Sequence, residues 1–320
     1  MTPRGFDTAM VLAAGRGERM RPLTTVLPKP ALPLPDGPVI ASALRLAASA
    51  GATRVVVNVC HLAERMAEAV AVVKIEAIEI ALSFEDELMG SSGGLAVARD
   101  RGLLGDEGSV LVINGDCALG LDLQGLAAHH HSSDDLVTLA LLPHLDPQRW
   151  SRVVVDADGR VMAIHPPGRP DALEAPFLYP GAMAVHREAL ETLPSSPGET
   201  PSALWEPARS LGRLGGVVVA GHWREVGTPT DYLEVMCARL AGTTVIDSSA
   251  EVGPAASVTR SFVGREAVIS DGAVIEGSVV AEGATVRGGA RVENSVLLGE
   301  VEIAPNGAVV GEILAQPPGS

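Results

Sequence analysis

The most informative part of the sequence is the segment from residue 10 to residue 30, which reads Met10-Val-Leu-Ala-Ala-Gly-Arg-Gly-Glu-Arg-Met-Arg-Pro-Leu-Thr-Thr-Val-Leu-Pro-Lys-Pro30. The apolar run that ends at Leu12 predicts a β-strand, and the residues after it predict a loop. Gly15 and Gly17 have no Cβ, so backbone N–H groups of this loop can approach phosphate oxygens closely. The segment therefore predicts a strand followed by a phosphate-binding loop.

The positive charge for such a loop comes from four side chains, Arg16, Arg19, Arg21 and Lys29. Lys29 and Lys74 are the only lysines among 24 basic residues, so Lys29 calls for a specific explanation. A dinucleotide fingerprint would need a third glycine near position 20, where Met20 stands, and a Walker loop would need Gly-Lys followed by Ser or Thr. We therefore expect a triphosphate site of another type.

From residue 8 to about 240, β-rich runs alternate with amphipathic helical stretches, which predicts an α/β fold with a doubly wound, mostly parallel sheet. The predicted strands are Thr8–Leu12, Arg54–Asn58, Ala77–Leu82, Val110–Ile113 and Leu136–Leu142. The predicted helices are Val39–Ala50, which Gly51 would end, Leu62–Val73, Gly94–Arg101 and Leu123–His131. Beyond Pro143 we expect a hairpin of Val153–Val155 and Val161–Ile164, and a strand at Leu178–Val185.

After Gly242 the apolar residues recur every six residues, with occasional spacings of five. They are Val252, Val258, Val263, Ile269, Ile275, Val280, Val286, Val292, Leu298, Ile303 and Val309. This period fits neither a helix nor an amphipathic strand, but it is typical of a three-sided, left-handed parallel β-helix. We expect a nucleotide-binding domain at 1–242, with a sugar-side lobe at about 143–225, and a β-helix at 243–320.

The composition of the chain limits the classes of partner that we expect it to bind. The net charge of −15 disfavours binding to nucleic acid or to an anionic membrane. No apolar run reaches the 18 or more residues that predict a membrane span. The three cysteines are far apart and odd in number, which favours reduced thiols. We expect a cytoplasmic protein with no membrane or nucleic-acid partner.

The motif Gly15-x-Gly17-x-Arg19-x-Arg21-Pro-Leu-Thr24, followed by Pro28-Lys29-Pro30, resembles the signature of the sugar-1-phosphate nucleotidyltransferases, or sugar-nucleotide pyrophosphorylases. Three later segments are also similar to family motifs: Ile113-Asn-Gly-Asp116, Gly90-Ser-Ser-Gly-Gly94 and Trp223-Arg-Glu-Val-Gly-Thr-Pro229. A hexapeptide tail occurs in a subset of the family. The resemblance therefore covers nearly the whole chain.

The resemblance implies transfer of a nucleotidyl group from a nucleoside triphosphate to a sugar 1-phosphate, with Mg²⁺ as cofactor. The implied catalytic residues are Arg19, Lys29 and Asp116. The implied nucleotide-binding residues are Leu12, Ala13, Ala14, Gly15, Arg16, Gly17, Ser92, Gly93 and Gly115; Gly181 and Glu225 would contact the sugar, and Asp116 and Glu225 would bind the metal. Mannose 1-phosphate with GTP is the favoured substrate pair, and UTP or dTTP with glucose 1-phosphate or N-acetylmuramate 1-phosphate is the alternative.

Two departures from the family pattern support a second hypothesis, a scaffold subunit that binds a sugar nucleotide without turnover. Glu225 stands where the family usually has an aspartate. A family lysine is missing at Ile164-His-Pro-Pro167, where Arg169 is the nearest replacement.

A β-helix that transfers acyl groups is disfavoured because no His or Lys follows His222. We therefore expect the tail to mediate homo-oligomerisation. The triplet His129-His-His131 we interpret as a solvated helix end rather than a metal site.

Overall fold

The computed structural model describes residues 5–319 except 77, 145, 147 and 169–176. Arg169 and the first residue of the strand predicted at 77–82 lie outside the described residues. The described chain forms two compact units. The first unit comprises the described parts of 1–15, 42–63 and 74–223, and the second comprises those of 16–41, 64–73 and 224–320.

The strands up to residue 225 are β1 (Thr8–Leu12), β2 (Pro33–Leu34), β3 (Gly37–Pro38), β4 (Arg54–Val59), β5 (Glu79–Phe84), β6 (Val110–Asn114), β7 (Cys117–Leu121), β8 (Val137–Pro143), β9 (Arg152–Val155), β10 (Val161–His165), β11 (Phe177–Leu178), β12 (Ala182–Val185), β13 (Leu214–Val218) and β14 (Gly221–Glu225). The α-helices are α1 (Ala41–Ser49), α2 (Ala63–Ala71), α3 (Gly90–Asp100), α4 (Gln124–Ser132), α5 (Arg187–Glu191), α6 (Glu206–Ser210) and α7 (Pro229–Leu240). Short 3-10 turns lie at Glu18–Met20, Leu23–Thr25 and Lys29–Ala31, and a π-helical turn lies at Pro201–Trp205.

The main sheet belongs to the first unit and has the order β10-β9-β11-β8-β12-β6-β1-β4-β5, with β13 beside β8. Strands β6, β1, β4 and β5 run parallel, whereas β12 is antiparallel to both β6 and β8. Helices between consecutive parallel strands confirm the predicted doubly wound α/β fold. The register places Asn114, Leu12, Asn58 and Ser83 in one row at the carboxyl edge of the four parallel strands.

Most predicted boundaries lie within two residues of the observed ones, and two predicted elements differ by more. The strand predicted at Leu178–Val185 is two strands, β11 and β12, because Pro180-Gly181 interrupts it and Gly181 has φ +96°. Both halves pair with β8. Helix α3 begins at Gly90, four residues before its predicted start. Its Gly/Ser-rich first turn has low helix propensity, and packing in the fold overrides that propensity.

The β-helix lies in the second unit, and its strands are β15 (Val245–Ile246), β16 (Glu251–Val252), β17 (Ser257–Thr259), β18 (Phe262–Val263), β19 (Val268–Ile269), β20 (Val274–Glu276), β21 (Val279–Val280), β22 (Thr285–Val286), β23 (Arg291–Glu293), β24 (Val296–Gly299), β25 (Glu302–Ile303), β26 (Ala308–Val310) and β27 (Ile313–Gln316). They form three parallel sheets, β15-β18-β21-β24-β27, β16-β19-β22-β25 and β17-β20-β23-β26. The predicted parallel β-helix is therefore confirmed.

The coils of the β-helix repeat every 17 residues, which explains the mixture of sixes and fives in the sequence. Val263 pairs with Val280, and Val280 pairs with Leu297. The ladder position is therefore Leu297 and not the predicted Leu298, although both are buried. One corner holds a ladder of buried serines: Ser261 Oγ accepts the Ser278 N–H, and Ser278 Oγ accepts the Ser295 N–H, each at 3.1 Å.

The histidine triplet on α4 is only partly solvated, so that interpretation was wrong for its central residue. His130 is 3% exposed and hydrogen-bonds Thr138 and Ser109 through its two ring nitrogens. Burial lowers the pKa of His130 to about 3, with a further contribution from neighbouring histidines. His130 is therefore a neutral core residue. No helix within the described residues has the length and apolarity that crossing a membrane requires.

Candidate functional site

The first unit brings its predicted site residues to the carboxyl edge of the parallel strands. This is the edge where open α/β sheets bind their ligands. The loop after β1 begins here with Ala13 and Ala14, each 5% exposed, and continues to the exposed Gly15. The Gly115 N–H donates to the Leu12 carbonyl oxygen at 2.9 Å, so the turn after β6 is hydrogen-bonded to the last residue of β1.

The turn Asn114-Gly115-Asp116 leads from β6 to β7 and presents a partly exposed carboxylate. The Asn114 N–H donates to the Gly181 carbonyl oxygen at 2.7 Å. A Cβ on Gly181 would lie 2.9 Å from the Asn114 Cβ. Gly181 is therefore needed both for its positive φ and for this close approach to the Asn114 side chain. The predicted residues Gly115, Asp116 and Gly181 thus belong to one local arrangement.

The first turn of α3 contains the predicted residues Ser92 and Gly93, both buried. The Ser92 N–H donates to the Gly198 carbonyl oxygen at 3.0 Å, and a Cβ on Gly93 would lie 2.7 Å from the Ser196 carbonyl oxygen. The segment at 196–200 therefore covers this turn. The Gly/Ser-rich stretch is therefore a packed helix start, although the predicted helix began only at Gly94.

Two residues that sequence reasoning missed connect these parts. Asn58, at the end of β4, and Glu85, just after β5, are 3% and 7% exposed. The Asn58 side chain accepts the Ala13 N–H at 2.8 Å and donates to Glu85 Oε1 at 2.8 Å. A usable signal was present for Asn58, the polar last residue of a predicted strand, whereas Glu85 lies three residues beyond the predicted strand end at Leu82.

In the second unit, Gly17, Thr24 and Lys29 pack together. Gly17 has φ +59°, and a Cβ there would lie 2.9 Å from Thr24 Cγ2 and 3.2 Å from the Lys29 Cβ. The Thr24 hydroxyl donates to the Gly17 carbonyl oxygen at 3.0 Å. Lys29 is only 7% exposed, whereas Arg16 is exposed. Lysine is rarely buried to this degree, so its position in the fold is specific.

Part of the motif at residues 223–229 has a local structural explanation. Thr228 is the N-cap of α7, its hydroxyl accepts the Asp231 N–H at 3.2 Å, and Pro229 occupies the first helical position. Three residues before this cap, Glu225 accepts a hydrogen bond from the Arg19 guanidinium at 3.2 Å. The structure therefore pairs a predicted metal ligand with a predicted phosphate-binding cation.

The donor set is compatible with Mg²⁺ only if the nucleotide supplies part of the coordination. Among the described residues, no cluster of three or more His, Cys, Asp or Glu side chains could hold a metal ion. Mg²⁺ sites in nucleotide-binding enzymes commonly use one or two carboxylates together with substrate phosphates and water. Asp116 in the first unit and Glu225 in the second unit each carry a hard oxygen donor of this kind, and Glu225 would have to release Arg19 before it could bind a metal.

The doubly wound sheet of the first unit and the parallel coils after residue 242 define an α/β protein with a C-terminal β-helix. Residues 8–242 match the nucleotidyl transferase family, and residues 242–316 match the GlmU-like C-terminal hexapeptide family. The chain belongs to the nucleotidyl transferase family.

Curated relatives share modest sequence identity with this chain. It is 28% identical over 234 residues to the mannose-1-phosphate guanyltransferase of Schizosaccharomyces pombe, covering 73% of this chain and 64% of that protein. It is 29% identical over 233 residues to the mannose-1-phosphate guanylyltransferase of Mycobacterium tuberculosis, covering 70% and 62%. The match to the mannose-1-phosphate guanylyltransferase catalytic subunit beta of Drosophila pseudoobscura is 25% over 237 residues, covering 73% and 62%. The matched region thus spans less than two thirds of each of these relatives.

Proposed function

We propose that this protein transfers a nucleotidyl group from a nucleoside triphosphate to a sugar 1-phosphate and releases pyrophosphate. The observation that carries the proposal is the hydrogen-bonded edge of the first unit, where the loop after β1 meets the Asn114-Gly115-Asp116 turn. Membership of the nucleotidyl transferase family supports the same reaction class.

In this reaction a phosphate oxygen of the sugar phosphate attacks the α-phosphorus and forms a P–O bond. The bond from the α-phosphorus to the bridging oxygen breaks, and pyrophosphate leaves with the electron pair. Because the nucleophile is already ionised, no side-chain base is required, and the protein contributes positioning and charge stabilisation. We assign charge stabilisation to Arg19 and Lys29.

We propose that Asp116 and Glu225 hold Mg²⁺ together with the nucleotide phosphates. The metal, when bound, would neutralise phosphate charge. The backbone of Leu12 to Gly17, with Gly115, would bind the triphosphate, and Ser92 and Gly93 would lie against the nucleotide. Gly181 and Glu225 would contact the sugar. These roles follow from the family motifs and from the positions described above within each unit.

Mannose 1-phosphate with GTP is the substrate pair that we propose. The names of the three relatives quoted above support this choice. UTP or dTTP with glucose 1-phosphate or N-acetylmuramate 1-phosphate remains the alternative pair.

The test is a pyrophosphate-release assay with Mg²⁺ and a panel of nucleoside triphosphates and sugar 1-phosphates. The wild type should release pyrophosphate fastest with GTP and mannose 1-phosphate. Asp116→Asn should reduce the rate strongly, whereas Asp106→Asn, on the exposed loop before β6, should not. Faster release with another pair would change the substrate assignment, and no release with any pair would refute the enzyme assignment.

The ion pair between Glu225 and Arg19 supports the second candidate, a scaffold that binds a sugar nucleotide without turnover. In this geometry the carboxylate neutralises a cation that catalysis requires. Tight binding of a sugar nucleotide by calorimetry, combined with no pyrophosphate release, would favour the scaffold.

We further propose domain boundaries at 1–242 and 243–320, with a sugar-side lobe at about 143–225, and homo-oligomerisation through the β-helix. Light scattering of the full chain should give a mass above that of one chain, and truncation after Gly242 should lower the number of chains per particle. An unchanged number would reject this role of the tail. The cytoplasmic location stays a prediction.

A further inference from the structure

The first unit contains a buried amide and carboxylate pair for which the proposed reaction has no direct use. Asn58 Nδ2 donates to Glu85 Oε1 at 2.8 Å, and both residues are less than a tenth exposed. Burying a carboxylate is unfavourable unless hydrogen bonds compensate it, and removing one partner leaves the other unsatisfied. A pair of this kind is therefore held in one geometry by its neighbours.

The pair is hydrogen-bonded at both ends to backbone N–H groups of segments in the proposed nucleotide site. Asn58 Oδ1 accepts the Ala13 N–H at 2.8 Å, at the start of the loop after β1. Glu85 Oε2 accepts the Met89 N–H at 3.1 Å, immediately before α3. One continuous chain of hydrogen bonds thus connects the phosphate-binding loop to the first turn of α3.

Helix α3 also covers the pair directly. A Cβ on Gly94 would lie 2.7 Å from both Asn58 Nδ2 and Glu85 Oε1. Glycine at position 94 therefore lets the helix backbone approach the pair closely. The strand register also places the pair. Asn58 lies beside Leu12 in the sheet, so it is adjacent to the loop that begins at Ala13.

We propose that Asn58 and Glu85 are positioning residues that set the phosphate-binding loop against the start of α3, so that nucleotide affinity depends on both residues jointly. The pair acts through the backbone of Ala13 and Met89 and does not touch the nucleotide. This inference rests on the proposed nucleotide site.

The pair permits an exchange experiment. Glu85→Gln alone leaves two N–H donors for a single amide oxygen, since both Asn58 and Met89 donate to position 85. Asn58→Asp alone places two carboxylates against each other. In the double variant, the aspartate introduced at position 58 would accept the Ala13 N–H and an amide N–H of the glutamine introduced at position 85. The oxygen of that glutamine would accept the Met89 N–H, so the exchange restores every hydrogen bond.

The measurement is calorimetric titration of GTP with Mg²⁺, together with kcat and KM from pyrophosphate release. We expect each single variant to raise the Kd and KM for GTP by about tenfold or more, corresponding to the loss of one charge-assisted hydrogen bond. The double variant should recover most of that loss. The increase in each single variant and the recovery in the double variant should both be larger in the KM for GTP than in the KM for the sugar phosphate.

The matched control is Asp135→Asn. Asp135 is a carboxylate 2% exposed in the same unit, but it precedes β8 at the amino edge of the sheet, where Val137, Val185 and Val110 share a row. It accepts hydrogen bonds from Thr138 and Arg160. This variant should lower the melting temperature and leave the Kd for GTP unchanged.

Single variants with a Kd within twofold of wild type, or a double variant whose loss equals the product of the two single losses, would overturn the positioning role. Failure of the wild type to bind or turn over any nucleoside triphosphate would instead remove the proposed function on which the inference rests. Folding is checked by tryptophan fluorescence. Should one single variant not fold, the other single variant and the exchange still provide the comparison.

Discussion

Replacing Gly181 by alanine should damage both stability and activity, and the structure allows the two contributions to be separated. The backbone at Gly181 has φ +96°, where an L-residue is strained by about 1–2 kcal/mol. The new Cβ would also lie 2.9 Å from the Asn114 Cβ, and overpacking of this kind costs about 1–3 kcal/mol. We therefore expect Gly181→Ala to lower the free energy of unfolding by about 2–5 kcal/mol.

Gly105→Ala is the matched control. Gly105 has φ +69°, and its Cβ would meet nothing within 4 Å, so this variant carries the backbone strain without the steric contact. It should cost only about 1–2 kcal/mol. Urea denaturation followed by tryptophan fluorescence reports on the correct part of the molecule, because Trp150, Trp205 and Trp223 all lie in the first unit.

The effect on activity follows from what Gly181 contacts. To relieve the clash Asn114 must move, and it lies two residues before Asp116 in a short turn. A displacement of about 1 Å in a catalytic group can cost about 100-fold in rate. We therefore expect kcat/KM to fall about 100-fold in Gly181→Ala and to stay unchanged in Gly105→Ala. Equal destabilisation by the two variants, or wild-type activity in Gly181→Ala, would refute the reasoning.

Three further predictions concern other parts of the chain. Lys29→Met should lower kcat/KM in the pyrophosphate-release assay by about 100-fold or more. Lys74→Met removes the other lysine, which is exposed, and should not lower it. Similar rates in both variants would contradict the role of Lys29. Because the pKa of His130 is lowered in the folded state, its neutral form stabilises the fold above about pH 6.5, and this stability should be lost as pH falls towards 3, by up to about 1.4 kcal/mol per pH unit. Urea midpoints between pH 7 and 5 should therefore fall less steeply in His130→Gln than in wild type, and parallel curves would disprove the assignment. Gly299→Val should lower the melting temperature far more than Gly311→Val. Both glycines have positive φ, but only a Cβ at position 299 would clash with the Gln316 carbonyl oxygen, and equal shifts would count against this packing.

Several features of the fold could be predicted because they depend on short-range patterns. Strand β1 was predicted with its observed bounds, because the apolar run and the glycine-containing loop that follows it are adjacent in the sequence. The β-helix was predicted from its period, because each coil repeats the same burial pattern. Even there, the side chain that enters the ladder, Leu297 rather than Leu298, depended on pairing with Val280 in the adjacent coil.

The site residues also divide into those that a local motif predicted and those that depend on distant contacts. The motif around Gly17, Arg19 and Lys29 indicated phosphate chemistry from the sequence alone, because glycine and cationic side chains suit phosphate binding and lie close together in the chain. The positioning pair Asn58 and Glu85 was missed, because their partners lie far away in the chain.

The sequence by itself determined the class of fold, the β-helix after residue 242 and the residue types available for nucleotide chemistry. Only the tertiary structure decided that Asn58 restrains Ala13, 45 residues away, that Arg19 pairs with Glu225, and that His130 is buried rather than solvated. The physical reason is that periodicity and turn chemistry act over a few residues, whereas a hydrogen bond or a buried ring depends on which distant segments the sheet register and chain packing bring into contact.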